Sequence, residues 1–272
     1  MERIKDAISK ARETQGRSPD LGVRKAVRPV NKAHEADQED ISYSQTQVIE
    51  LNTKHLEANR IITFDSEDPD AVAFDVLRTQ VLSKMEENGW KTLGITSPSP
   101  ECGKTVVSLN LALSIAKQTD KTALVADFDL RRPRISRYLG IHPEKSLFDV
   151  FNNDAEVQDV LINPSFPRLV VLPNNTPVKN SAETLMSKKA KALVQELRNR
   201  YQNRIVIFDL PPLMAGDDTI AFLPQVDCVL LVVASGETKP VEVKEARRQI
   251  QSNNLLGVVL NKANERQTHY YY

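Results

Sequence analysis

The chain has 272 residues and a formal net charge of zero, because 36 lysines and arginines balance 36 aspartates and glutamates. This balance argues against a protein that binds nucleic acid through its overall field, and two cysteines are too few for a disulfide scaffold. We find no signal-peptide pattern and no apolar run of membrane-spanning length. We therefore expect a cytoplasmic protein with one domain of about 200 residues plus extensions.

The N-terminal part predicts a helix and a tether ahead of the main domain. Residues 1–12 form a basic pattern with a small apolar face, made of Ile4, Ala7, Ile8 and Ala11. This face lacks aromatics, so we favour a weak partner-binding helix over a membrane-surface helix. The polar, proline-containing stretch 14–45 is typical of a flexible tether. The domains are then 1–45, a folded domain at 46–266 and a tail at 267–272.

The folded part alternates between helices and strands along the chain. Residues 48–62 hold enough apolar side chains to pack against the domain, and residues 68–88 repeat apolar side chains at helical spacing. Further strands are predicted at 92–96, 123–126, 169–172, 204–208, 228–233 and 256–260, and further helices at 106–116, 183–201 and 241–252. Continuous apolar strands separated by helices predict an α/β fold with a mainly parallel sheet and helices on both faces.

The loop between strand 92–96 and the following helix has the chemistry of a phosphate-binding loop. It ends in Gly103-Lys104-Thr105, which combines close backbone approach, a lysine for the β- and γ-phosphates and a hydroxyl for Mg²⁺. The standard pattern has glycine five residues before Gly103, and Pro98 stands there instead. An ordinary strand-to-helix turn is the alternative, but a strand, a tight loop and a buried helix favour phosphate binding.

Aspartates follow two other predicted strands. Asp127 and Asp129 come at the end of strand 123–126, and Asp209 directly follows strand 204–208. The carboxyl ends of parallel strands face the crevice in which open α/β sheets bind ligands. Aspartates in unrelated surface turns are the alternative. Three of them after apolar strands, together with Gly-Lys-Thr, instead predict one metal and phosphate centre.

Three ordered motifs resemble those of the bacterial tyrosine kinases. They are Thr-Ser-Pro-x-Pro-x-x-Gly-Lys-Thr at 96–105, Asp-x-Asp-x-Arg-Arg-Pro at 127–133 and Asp-x-Pro-Pro at 209–212. Residues 180–185 resemble the family's Asn-Pro-x-Glu-Leu-Leu, and Asp218 follows the Pro-Pro loop. The opening Met-Glu-Arg-Ile-Lys and the segment 57–62 resemble the exopolysaccharide-locus branch. As a family these are cytoplasmic P-loop autokinases of capsular and exopolysaccharide biosynthesis.

The resemblance implies roles for individual residues, with ATP and Mg²⁺ as cofactors. Catalytic roles fall on Lys104, Asp127 and Asp129. The Mg²⁺ site would use Thr105, Asp127 and Asp209. The nucleotide-binding residues would be Pro100, Glu101, Cys102, Gly103, Lys104, Thr105, Val106, Arg131 and Asn261.

The resemblance also implies a phosphate acceptor and partners. Family members end in a tyrosine cluster that is phosphorylated in trans within an oligomer. Three of the six tyrosines of this chain are its last three residues, Tyr270, Tyr271 and Tyr272; a tail without function is the alternative. The implied partner is the cytoplasmic segment of a membrane polysaccharide co-polymerase, which would hold a homo-oligomer at the inner face of the plasma membrane.

The chain departs from the family at several positions. Glu101 replaces the first glycine of Gly-x-Gly-Lys, where any residue other than glycine would strain the loop. Its carboxylate would repel phosphate and weaken nucleotide affinity; the alternative is that Glu101 points to solvent. The family's Glu-x-x-Arg-x-x-Arg helix motif keeps only Arg78, since Val72 and Asp75 occupy the other two positions. An ATP-binding regulatory partner without significant kinase activity is therefore the alternative. A partition-like ATPase is disfavoured by Ser99, where that class has lysine.

Overall fold

A computed structural model describes residues 46–65, 68–118, 120–250 and 254–263. Within them, eight strands form one sheet: β1 (Gln47–Val48), β2 (Thr92–Thr96), β3 (Thr122–Asp127), β4 (Ile162–Asn163), β5 (Leu169–Leu172), β6 (Arg204–Asp209), β7 (Cys228–Ala234) and β8 (Leu255–Asn261). Their order is β1-β4-β5-β3-β6-β2-β7-β8. All neighbours pair in parallel except β4 and β5.

Helices connect these strands. They are α1 (Thr53–Ala58), α2 (Ala71–Glu87), α3 (Lys104–Gln118), α4 (Ile135–Leu139), α5 (Leu147–Phe151), α6 (Val157–Val160), α7 (Ser181–Met186), α8 (Lys188–Asn199), α9 (Asp218–Phe222) and α10 (Pro240–Ile250). Two short 3₁₀ turns, Leu213–Ala215 and Leu223–Gln225, flank α9. The predicted α/β fold with a mainly parallel sheet is confirmed.

Both faces of the sheet are buried along β2 to β7, as their apolar sequences require, whereas the outer strands β1 and β8 are partly exposed. Along β6, Ile205 and Ile207 belong to one hydrophobic cluster, whereas Val206 and Phe208 belong to the other. This alternation follows from the two-residue period of a strand. The first cluster also contains the apolar sides of α2 and α3, and the second contains those of α8 and α10. Helices therefore cover both faces.

One predicted helix is divided in two. The pattern at 183–201 predicts a single helix, but α7 ends at Met186 and α8 begins at Lys188. Ser187 between them is extended, with ψ of 155°, and its hydroxyl accepts a 3.1 Å hydrogen bond from the backbone N–H of Ala190. Serine competes for backbone donors in this way, so it caps a new helix rather than continuing the old one.

An aromatic cluster anchors the two strands that end in aspartates. Phe128 lies between Asp127 and Asp129, and its ring packs edge-on against Phe208 at 4.8 Å between centroids. Phe222 of α9 completes the cluster, at 4.9 Å from Phe128 and 5.2 Å from Phe208. All three rings are fully buried. Burial of each ring contributes about 2–3 kcal/mol, which holds the ends of β3 and β6 in register.

The N-terminal helix, the tether and the tyrosine tail expected from the sequence lie outside the described residues. In the part that is described, no helix combines the length and the apolar character needed to cross a membrane.

Candidate functional site

The site lies where three neighbouring strands end. The sheet order places β6 between β3 and β2, and Asp127 pairs in register with Asp209 across β3 and β6. The loop that follows β2 leads directly into α3, which begins at Lys104. Sequence-distant carboxylates and the lysine thus meet at the carboxyl edge of the sheet, where ligands bind in open α/β folds.

The loop from Ser97 to Gly103 is held by hydrogen bonds despite its missing first glycine. The Ser97 hydroxyl donates to the carbonyl of Ser99 at 2.7 Å. The carbonyls of Ser97 and Pro98 accept from the backbone N–H groups of Leu213 and Met214, at 2.8 and 3.1 Å. Pro98 therefore sits in a loop that is tied to the segment after β6. Gly103 adopts φ of 88°, a left-handed conformation that favours glycine.

Lys104 forms the central ion pair of the site. Its Nζ lies 2.7 Å from Oδ2 of Asp129 and 3.8 Å from Oδ2 of Asp209, and all three side chains are nearly buried. Burial by itself lowers the pKa of Lys104, but the charges of Asp209 and Asp129 outweigh burial and raise that pKa. The lysine is therefore a fixed positive charge next to the loop.

Thr105 and Ser108 share one carboxylate. The Thr105 hydroxyl donates to Oδ2 of Asp209 at 2.6 Å, and the Ser108 hydroxyl lies 3.2 Å from Oδ1 of the same residue. Burial raises the pKa of Asp209, and Lys104 and these hydroxyls only partly offset the increase. A hydroxyl beside a carboxylate is a donor set that suits Mg²⁺, which protein sites hold through one or two carboxylates and substrate phosphates.

Asp127 is a second fully buried carboxylate of the site, like Asp209. Its Oδ2 accepts hydrogen bonds from the backbone N–H groups of Arg134 and Ile135, at 2.9 and 2.8 Å, at the start of α4. Its Oδ1 is buried and has no hydrogen-bond partner among the described residues. Burial and the charge of Asp209 raise its pKa well above the ordinary range, although the Ile135 hydrogen bond and Lys104 oppose this.

Arg131 is held by residues of two other elements, α7 and α9. Its guanidinium lies 2.7 Å from Oδ2 of Asp218, which is buried at the start of α9, and its Nε donates to the Ser181 hydroxyl at 3.1 Å. The Asn-Ser-Ala-Glu stretch and the aspartate after the Pro-Pro loop are thus joined by one arginine.

A cavity of about 940 Å³ opens in front of these residues. Its walls include most of the predicted nucleotide-binding residues: Pro100, Glu101, Gly103, Lys104, Thr105, Val106, Arg131 and Asn261. Asp129 also lines it, whereas Cys102, Asp127 and Asp209 lie behind the wall. The volume is in the range of small-molecule and cofactor sites.

Cys102 and Glu101 have opposite environments in the loop. The Cys102 side chain is buried, and its Sγ donates to the carbonyl of Ser99 at 3.2 Å. The Glu101 side chain is 73% exposed, with its carboxylate 4.0 Å from the guanidinium of Arg134. Glu101 has φ of 65°, so a residue with a Cβ occupies a left-handed position.

Several cavity residues were missed from the sequence. Arg132 belongs to the second motif and Arg134 directly follows it, and their charge was a usable signal. Tyr138, Glu237 and Lys262 also line the cavity, but they come from elements whose position depends on the fold. Among the described residues, no three His, Cys, Asp or Glu side chains form a metal-binding group, so a metal here would also need ligand oxygens.

Comparison with known proteins identifies the relatives of this chain. Residues 95–240, more than half of the chain, match the family described as AAA domain. CpsD of Streptococcus agalactiae, a tyrosine-protein kinase, is 29% identical over 195 residues, which cover 71% of this chain and 83% of CpsD. The kinase domain of the Escherichia coli tyrosine kinase ETK is 30% identical with a TM-score of 0.66, covering 74% of this chain and 79% of that one.

The chain belongs to the bacterial tyrosine kinase family. EpsB of Ralstonia nicotianae is a further relative, 29% identical over 197 residues, which are 72% of this chain. They are only 26% of EpsB, so the chain spans about a quarter of the length of that relative. The aligned AAA region of this chain contains the loop, both aspartate motifs and Asp218, whereas Arg60 and Asn261 lie outside it.

Proposed function

We propose that this protein is an ATP-dependent protein-tyrosine autokinase that regulates the biosynthesis and export of exopolysaccharide or capsular polysaccharide. The observation that carries the proposal is the buried network of Lys104, Thr105, Asp129 and Asp209 at the wall of a nucleotide-sized cavity. Phosphoryl transfer asks a protein mainly for positioning and charge stabilisation, and this network supplies both.

Lys104 and the loop would bind the phosphates of ATP. In the structure, Nζ of Lys104 contacts Asp129 at 2.7 Å. Phosphate oxygens carry more negative charge than one carboxylate, so they compete for this ammonium group and for the loop N–H groups. Asp129 then loses its partner while it still faces the cavity. Binding of ATP would thus free a carboxylate beside the γ-phosphate.

Thr105, Asp209 and Asp127 would hold Mg²⁺, consistent with their oxygen chemistry. The Thr105 hydroxyl and the Asp209 carboxylate already contact each other, and the unpartnered Oδ1 of Asp127 lies at the paired position of the neighbouring strand. When bound, Mg²⁺ neutralises charge that develops on the β- and γ-phosphate oxygens. Ser108 orients Asp209 from the next turn of α3.

The acceptor is a tyrosine of the tail, Tyr270, Tyr271 or Tyr272, supplied by another subunit. Its phenolic oxygen forms a bond to the γ-phosphorus, the bond to the bridging oxygen of ADP breaks, and the tyrosyl proton passes to a carboxylate. The resemblance assigns this base to Asp127, which lies behind the cavity wall and also belongs to the proposed Mg²⁺ set. Asp129, which lines the cavity, is the other candidate for the base, and matched variants of the two aspartates distinguish them.

The proposed partner is the cytoplasmic segment of a membrane polysaccharide co-polymerase. Support comes from the resemblance to the bacterial tyrosine kinases of polysaccharide loci, which implies such a partner. The partner would bring subunits together and hold them at the inner face of the plasma membrane. A tail that reaches a neighbouring site gains effective concentration from this association.

A second function is favoured by one contact on α2. Arg78, the only motif residue kept on this helix, contacts Asp75 at 2.8 Å and the Ser114 hydroxyl at 2.9 Å within the same subunit. An arginine engaged in this way is less available for contacts between subunits. The alternative is an ATP-binding regulatory partner of the polysaccharide machinery without significant kinase activity.

Labelled ATP with Mg²⁺, followed by phosphotyrosine mapping, tests the proposal on the full chain. We expect phosphate on Tyr270, Tyr271 or Tyr272, and none in Lys104→Met. Asp127→Asn and Asp129→Asn form the matched pair. Asp127→Asn, which lacks the assigned base, should lower the rate constant of phosphoryl transfer more than Asp129→Asn does. Tight ATP binding with no phosphotyrosine, even with the partner segment added, would overturn the kinase and support the alternative.

A further inference from the structure

The segment before the matched AAA region forms one wall of the cavity. Ala58, Asn59 and Arg60, at and after the end of α1, line it together with the phosphate-binding loop. They precede residue 95, where the family match begins. A part of the chain to which no motif assigned a role therefore faces the proposed nucleotide site.

Asn110 of α3 fixes this segment to the body of the domain. Its side-chain oxygen accepts from the backbone N–H groups of Ile62 and Thr63, at 2.8 and 3.1 Å. Its side-chain nitrogen donates to the carbonyls of Arg60 and Val106, both at 2.9 Å. Asn110 is fully buried, so these bonds are shielded from water and hold the backbone of Arg60 beside Val106.

Arg60 has a backbone conformation that glycine would adopt more easily. Its φ is 59°, in the left-handed region. A residue with a Cβ is strained there, and such strain is concentrated at ligand sites. The chain nevertheless carries a long, charged side chain at this position, on the wall of the cavity.

The charge of Arg60 is not neutralised by the described part of the protein. Four other cations of the cavity have carboxylate partners within 4.0 Å: Lys104 with Asp129, Arg131 with Asp218, Arg134 with Glu101, and Lys262 with Glu237. Among the described residues, no carboxylate lies within this distance of Arg60 or Arg132. Arg132 lies next to the Lys104–Asp129 ion pair, since its backbone N–H donates to Oδ1 of Asp129.

Arg60 lies beside Val106 on the wall of the cavity. Lys104 and Thr105 mark the β- and γ-phosphate end, whereas Val106, one residue further into α3, shares its Asn110 contact with Arg60. We infer that Arg60 binds the α-phosphate of the nucleotide through its guanidinium. This inference rests on the proposed nucleotide binding and extends the site to a residue to which the resemblance assigned no role. Arginine suits the role because its fork of N–H donors matches phosphate oxygens.

Equilibrium binding of Mg·ADP, AMP and adenosine to the full chain tests this inference, with adenosine and AMP measured by displacement of a fluorescent ADP analogue. Arg60→Gly removes the guanidinium and relieves the left-handed backbone, so the variant should fold at least as well as the wild type. We expect ADP and AMP to bind about tenfold more weakly, as for loss of one charge-assisted contact. Adenosine, which lacks the phosphate, should bind equally well to both proteins.

Arg168→Gly is the matched control, because Arg168 also has a left-handed φ, of 68°, and does not line the cavity. It should bind ADP as the wild type does, and Arg60→Lys should lie between Arg60→Gly and the wild type. Unchanged ADP affinity in Arg60→Gly, or an equal loss for adenosine, would overturn the inference. Because binding is measured without phosphotyrosine, the inference survives if kinase activity is absent. If the wild type binds no nucleotide, both proposals fall.

Discussion

Asn261, the last residue of β8, donates a 2.9 Å hydrogen bond from its side-chain amide to the carbonyl oxygen of Cys102. The two residues are 159 positions apart in the sequence. The bond brings the amide so close to the loop that a Cβ added at Gly103 would lie 2.1 Å from Nδ2. The outer strand β8 therefore braces the phosphate-binding loop from the side.

Gly103→Ala should strongly weaken nucleotide binding. The new methyl group would clash with Asn261, and φ of 88° is unfavourable for alanine. We expect at least a tenfold weaker ADP affinity and a loss of about 2 kcal/mol in the free energy of unfolding. Calorimetric binding and denaturant unfolding measure the two effects.

Gly89→Ala is the control that measures the cost of a left-handed alanine without a steric clash. Gly89 has φ of 67°, but a Cβ there would meet nothing within 4 Å. We expect about 1 kcal/mol of destabilisation and normal ADP affinity. Equal stability losses in Gly89→Ala and Gly103→Ala would contradict the role given to Asn261.

Glu101→Gly should tighten nucleotide binding. The substitution removes a carboxylate from the cavity wall and relieves φ of 65°. Because Glu101 is exposed and close to Arg134, water and the arginine weaken its repulsion of phosphate, so we expect an affinity gain of about three- to tenfold. Titration with Mg·ADP at low and moderate salt measures the gain, which should shrink as salt rises.

Glu101→Gln distinguishes charge from backbone. It removes the carboxylate but leaves a side chain at the left-handed position. It should therefore show most of the affinity gain of Glu101→Gly, but none of the gain in folding stability that glycine brings at this φ. Ser165→Gly, at φ of 60° and away from the cavity, should change stability alone. Unchanged affinity in both Glu101 variants would refute the repulsion argument.

The stability of the nucleotide-free protein should fall as the pH rises above the ordinary carboxyl range. Burial raises the pKa of Asp127 and Asp209 in the folded state, so in this window the folded protein holds more protons than the unfolded chain. Their contribution is complete below the unfolded pKa and is lost as the pH rises through the raised folded pKa. Urea unfolding from acid to neutral pH measures this slope.

Asp127→Asn should reduce that slope. The amide oxygen can still accept the N–H groups of Arg134 and Ile135, while the titrating group is removed. Asp154→Asn replaces an exposed aspartate away from the cavity and should leave the slope unchanged. A wild-type stability that rises steadily through the same pH window would contradict the assignment.

Asn110→Ala should strongly destabilise the domain. It removes the partner of four backbone groups, those of Arg60, Ile62, Thr63 and Val106. Buried groups left without partners cost about 1–3 kcal/mol each, and water entry offsets part of this, so we expect a loss of about 2–4 kcal/mol. Asn88→Ala, which removes one exposed hydrogen bond at the end of α2, should cost less than about 1 kcal/mol. Equal losses would disprove the role given to Asn110.

The sequence was most informative where the physics is local. The apolar strands at 92–96 and 204–208 need only a two-residue period and burial on both faces, so the parallel sheet and its helices could be predicted. The Gly-Lys-Thr motif needs only a helix start after a strand, which placed the loop. The break at Ser187 was missed, because a cap that ends one helix and begins another depends on where α7 and α8 pack.

The sequence by itself therefore determined the fold class, the family and the residues for which we propose phosphate chemistry, because each depends on local pattern and residue type. The tertiary structure alone decided which cations of the cavity are paired, since Arg131 meets Asp218 and Arg60 meets no described carboxylate. It alone brought Asn261 to Cys102 and Asn110 to Arg60. Such contacts arise from strand order and helix packing, which no short stretch of sequence contains.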